Sequence, residues 1–207
     1  MWFKRNQIEE AISRTIGEDS AKPSSRLSGR IKRLLNHDRN SVRSGPRAPK
    51  RPTFAFYDGD PPGRGVEVMF SEFNGQALYL AIRMMAHGWP QNFVVSILRE
   101  CRGELSKRYE VALTTALGQM TQTKPRAGEL ALSHPLSSFL LIISDEKAVN
   151  SDRKSPYVRF FNDQTAAFEF QKEKAGRCCS WFELDGPALN LHRNLTASLP
   201  IPRGRGA

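Results

Sequence analysis

Between Lys22 and Pro52 the chain carries ten Lys and Arg against one acid, Asp38, so a net +9 of the whole chain's +10 falls in about a seventh of its length. Cations at that density repel one another and hold water strongly, so they must line one face of an element or a loop, never a core. Leu27, Ile31, Leu34 and Leu35 recur at helical spacing inside the same stretch, behind Ser24 and Ser25 as N-cap residues. That pattern predicts a helix to about His37. On its wheel Arg26, Arg30, Arg33 and His37 fall within about sixty degrees of one another, beside the apolar stripe. From Asn40 to Pro52 the composition turns to Ser, Gly, Pro and Arg, which predicts a basic loop.

Around this segment the chain reads as globular. Its hydrophobic fraction of 39% supports a core, and no apolar run has the length of a membrane span. The first residues, "MWFKRNQIEEAIS", lack the apolar core and small-residue cleavage site of a secretory signal. Cys101, Cys178 and Cys179 form an odd set with two adjacent members, a poor disulfide framework that fits a reducing cytoplasm. A sequence pI near 9.9 then points to a polyanionic partner, with nucleic acid ahead of acidic protein or a membrane surface.

Asn6 and Glu9 suggest a capping box for a first helix from about Gln7 to Ile16, ended by Gly17, with Trp2 and Phe3 as a hydrophobic staple. "TFAFYD" and "GVEVMF" are β-prone runs around "GDPPGRG", the pattern of a hairpin with Arg64 on its loop. Ser71 caps a third helix that Gly88 stops, with Leu78, Ile82 and Met85 inward; Pro90 starts a fourth and Glu104 a fifth. After a linker, strands are expected at "FLLIIS", "YVRFF" and "CSWFEL", and helices at "DQTAAFEFQKEKA" and "PALNLHRNLTASL".

Enzymatic signals are absent from the motif set. The chain has no Gly-rich phosphate loop, no H-E-x-x-H and no G-x-S-x-G, and His37, His87, His134 and His192 stand in unlike contexts. Asp58 and Asp60 in "GDPPGRG" suit a turn as well as a cation loop, and no His or Cys stands at ligand spacing around Cys178 and Cys179. No cofactor, metal or catalytic residue is assigned.

The order of two helices, a hairpin and further helices carries a resemblance. "GVEVMFSEFNGQALYLAIRMMAHGWPQNFVVSIL" resembles the wing and following helices of the MerR family of bacterial transcription regulators, which run G-Y-R-x-Y, then S-E-E-D-L, a Gly-aromatic step and S-x-E-E-I-x-x-L-L. Gly65, Phe70, Ser71 with Glu72, Leu78, Gly88 with Trp89, and Leu98 fall at the family spacing without a gap. The resemblance covers about residues 6–98; toward the front, "RLSGRIKRLL" lacks the paired tyrosines of the family's recognition helix.

The resemblance implies an α+β chain opening with a winged helix-turn-helix at 1–103, then a connecting helix at 104–120, a linker at 121–135, a C-terminal α/β unit at 136–199 for dimerisation or sensing, and a tail at 200–207. It implies a cytoplasmic, nucleoid-associated regulator that binds double-stranded DNA as a homodimer. Arg26, Arg30 and Arg33 would enter or flank the major groove, and Lys50, Arg51 and Arg64 would hold phosphates and the minor groove. Ser25, His37, Arg39 and Arg43 complete the expected DNA-binding set. Two alternatives use the same residues: a protein-binding adaptor of anti-repressor type, with another regulatory protein as partner, and a non-specific nucleic-acid binder.

Overall fold

The computed structural model describes residues 1–18, 22–43, 53–63, 66–122, 138–144, 157–173 and 178–200. These form a mixed helix and sheet chain with two small antiparallel sheets, compatible with the α+β class. It divides into one unit of Met1–Arg102 with Asn190–Ala207 and a second of Gly103–Leu189.

The first unit opens with strand β1, Trp2–Lys4, running into helix α1, Arg5–Thr15. Its cap differs from the expected Asn6–Glu9 box. The Lys4 backbone N–H donates to Gln7 Oε1 at 3.0 Å, while Glu9 is drawn to Arg5 at 2.6 Å and to Ser28 Oγ at 2.7 Å. Gly17, at φ +83°, turns the chain out of α1 in the left-handed region that glycine tolerates.

Helix α2 spans Ser25–Arg43, with Ser24 Oγ accepting from the Leu27 backbone N–H at 3.2 Å as its cap. Leu27, Ile31, Leu34 and Leu35 are buried along its inner face. The helix continues past the expected end near His37 to Arg43, taking in the first residues of the expected basic loop, whose remainder lies outside the described residues. The cause is Asp38, which is 0% exposed and bonded from outside the helix.

Among the described residues the expected hairpin is not formed. Strand β2, Met69–Ser71, takes its partner from the N-terminus, with Phe3 opposite Phe70 and Trp2 opposite Ser71. Phe54–Tyr57 is buried without strand pairing: the Asp38 carboxylate accepts the Ala55 and Phe56 backbone N–H groups at 3.0 and 2.9 Å. Side chains thus satisfy the backbone that a neighbouring strand would have satisfied.

Helix α3, Glu72–Ala86, begins where Ser71 Oγ accepts the Asn74 backbone N–H at 3.3 Å. It is the centre of this unit, buried at nearly every position from Phe73 to Met84; Met84, rather than the expected Met85, is the fully buried methionine. Gly88, at φ +91°, ends the turn after it, and helix α4 follows over Gln91–Glu100 with Pro90 as its N-cap. Gly75 lets α1 approach, since a Cβ there would stand 2.9 Å from Ile8 Cδ1. Leu195 and Leu191, both 0% exposed, border the same position at 3.6 and 3.8 Å.

The second unit contains most of helix α5, Arg102–Gln122, and strands β3 (Phe139–Ser144), β4 (Tyr157–Phe161) and β5 (Cys178–Glu183) in the order β4-β3-β5. Leu140, Leu141 and Ile142 of the central strand are 0% exposed, so both sheet faces are covered there. Helix α6, Gln164–Glu173, covers one face with Phe168 against Trp181 at 5.2 Å and Phe170 against Phe161 at 5.5 Å between ring centroids. On the other, Arg108 of α5 lies 4.9 Å over Phe160 and donates to Asn162 at 2.6 Å. The last helix, α7 (Asp185–Ala197), contributes its second half to the first unit: Asn194 bonds Thr15 at 3.0 Å, and Gln7 bonds the Ser198 carbonyl at 2.8 Å. Half-buried Cys179 lies on β5.

Candidate nucleic-acid interface

The sequence places four consecutive cations of the basic segment, Arg26, Arg30, Lys32 and Arg33, on α2, and the structure leaves each without an acidic partner among the described residues. Arg26, Lys32 and Arg33 are exposed and Arg30 is half-buried. Four arginines elsewhere are matched to carboxylates: Arg5 with Glu9 at 2.6 Å, Arg14 with Glu10 at 2.6 Å, Arg99 with Asp38 at 2.7 Å and Arg102 with Asp58 at 2.5 Å. Four cations without an acidic partner among the described residues thus stand along the solvent side of α2.

The crossing of α1 and α2 that presents this face is held by polar bonds. Glu9 accepts from Arg5 and from Ser28, and Arg5 Nη2 donates to the Ser28 carbonyl at 3.3 Å. Glu18 ties the connection, accepting from Ser13 Oγ at 2.7 Å and Ser24 Oγ at 3.1 Å. The Ser13 hydroxyl, with help from Ser24 against the cost of burial, holds the Glu18 carboxyl below its usual range.

At its C-terminal end α2 is fixed by Arg99, while Arg102 holds the Phe54–Tyr57 segment that Asp38 of α2 binds. Arg99 Nε donates to Asp38 Oδ1, and its Nη2 reaches the Asp38 carbonyl at 2.5 Å and Ser41 Oγ at 2.8 Å. Arg102 bonds the Ala55 carbonyl at 2.6 Å, Asp58 at 2.5 Å and Asn74 at 3.1 Å. Burial pushes the Arg102 guanidinium down from its ordinary pKa, and Asp58 and Asp38 oppose that shift.

The expected site residues divide into three groups. Ser25, Arg26, Arg30, Arg33 and His37 lie on α2, exposed or half-buried. Arg39 is half-buried and turns toward Tyr57, whose hydroxyl is pushed up in pKa by burial and drawn back by Arg39; the Arg39 Nε is buried without a partner among the described residues. Arg43 is the last residue of α2, with its side chain outside the described residues, as are Lys50, Arg51 and Arg64 altogether.

Sequence reasoning passed over Lys32, which shares the exposed side of α2, over Asp38 and Arg99, which position the helix, and over Arg102, which holds the neighbouring Phe54–Tyr57 segment. Asp38 carried a signal: it is the single acid in the basic run. No group of three His, Cys, Asp or Glu that could hold a metal occurs among the described residues. No helix among them is long and apolar enough to cross a membrane. Compared with family models and with curated proteins, the chain matches none.

Proposed function

We propose that this protein is a DNA-binding regulator of helix-turn-helix type that docks α2 on duplex DNA. The observation that carries the reading is the set of Arg26, Arg30, Lys32 and Arg33 on the solvent side of α2 with no acidic partner among the described residues. Phosphates supply the missing counter-charge, and four such contacts give binding that weakens steeply with salt. The locked α1–α2 crossing supports the choice of a rigid duplex reader, because groove binding needs a helix held in one orientation. Reading paired half-sites would take two copies of the chain, so a homodimer acting in the bacterial cytoplasm belongs to the same proposal.

The test is fluorescence anisotropy of a labelled duplex with the full chain and with Arg30→Glu/Arg33→Glu. Both residues sit outside the buried stripe, so the double variant should fold, which circular dichroism checks. The reading expects duplex binding by the parent chain and its loss in the variant. Equal binding by both would remove α2 as the interface.

A further inference from the structure

The cations of α2 account for attraction to a duplex but not for choice among duplexes. Asn36 stands about 180° around the helix from Leu27, directly opposite the buried stripe. It is exposed and its amide has no hydrogen-bond partner among the described residues. Arg33 lies about 60° to one side of it and Lys32 about 40° to the other, so the residue stands between these two cations on the solvent side of α2. When those cations hold the two phosphate backbones that border a groove, the residue between them faces the base edges.

We propose that Asn36 is a specificity-determining residue that reads an adenine edge in the major groove, an inference that rests on the docking of α2 proposed above. An Asn amide offers one acceptor and two donors, the complement of adenine N6–H and N7, and no other base pair presents that pair of groups in the same order. Arginine next to it at Arg33 favours guanine or phosphate instead.

Gly29 supports the same assignment independently. It lies about 20° from Asn36 around the helix and two turns before it. Glycine inside a helix is less favourable than alanine, and nothing in this chain demands it: a Cβ there would meet only Arg33 Nη1, at 3.8 Å. The space is instead clearance on the docking face, where a partner's backbone approaches the helix.

The experiment is selection of bound duplexes from a pool randomised at its centre, with the full chain at 150 mM salt, followed by affinity measurement on the enriched duplex and on an A·T to G·C exchange within it. The expected result is an enriched adenine for the parent chain, with about tenfold to a hundredfold preference over the exchanged duplex. Asn36→Ala should lose that preference yet retain the salt-dependent binding common to both duplexes. Gly29→Ala should raise the melting temperature while weakening binding to the enriched duplex. An unchanged adenine preference in Asn36→Ala overturns the assignment. No enrichment at all, with binding still lost in Arg30→Glu/Arg33→Glu, overturns base reading and leaves α2 as a polyanion surface; no duplex binding by the parent chain overturns both.

Discussion

Asp38, in the middle of the most basic segment of the chain, is fully buried and accepts Arg99 Nε at 2.7 Å, across 61 positions of sequence. The same carboxylate takes the Ala55 and Phe56 backbone N–H groups, so one side chain joins α2, the Phe54–Tyr57 segment and α4. The basic helix is thereby positioned by an acid.

Removing that acid should be costly. Asp38→Ala leaves Arg99 Nε and two buried backbone donors without the carboxylate, and loss of one partner of a buried pair costs about 3–5 kcal/mol. Urea denaturation followed by circular dichroism should show a midpoint shift of that size; a change below about 1 kcal/mol, the usual worth of a surface pair, would contradict the role assigned to Asp38.

Arg102 should resist conservative replacement. Its two Nη groups reach the Ala55 carbonyl, Asp58 and Asn74, a fork that one ammonium group does not reproduce. Arg102→Lys is expected to speed amide hydrogen exchange at Ala55 and Phe56 without unfolding the chain. Unchanged exchange would show that Asp38 alone holds the segment.

Cys101 provides a titration with a definite sign. Burial pushes its thiol from an ordinary 9.0 up to about 12. The folded state therefore keeps a proton that the unfolded chain loses, so the Cys101 contribution to stability is constant below about pH 9 and falls as pH rises toward 12. Native-state alkylation at pH 8, read by peptide mass spectrometry, should leave Cys101 unmodified until denaturant is added.

Glu18 acts at the other end of the scale. With its carboxyl held low by Ser13, its contribution is present above the ordinary value of 4.5 and is lost as pH falls through the lower folded value. In Glu18→Gln the stability difference from the parent should shrink on acidification; a difference independent of pH would contradict the bonding to Ser13 and Ser24.

What could be read from the sequence follows from the range of the forces involved. The spacing of Leu27, Ile31 and Leu34 announces α2, and "FLLIIS", "YVRFF" and the helix after it fall on β3, β4 and α6, because periodicity is a local property. The C-terminal turns of α2 were hidden, since burial of Asp38 depends on Arg99 in another helix. "TFAFYD" has the composition of a strand, but its backbone bonds go to side chains of α2 and α5, a choice that β-propensity does not encode. In the candidate interface the cations were legible as composition. Their lack of acidic partners was not, because pairing is decided by which helices lie side by side.

The salt dependence of duplex binding tests the central claim most directly. Plotting log Kd against log salt for the parent chain and for Arg33→Ala should show the magnitude of the slope smaller by about 0.9 in the variant, one phosphate contact fewer, at nearly unchanged stability. Parallel lines for the two proteins would contradict the account, since they would place the bound phosphates somewhere other than the exposed face of α2.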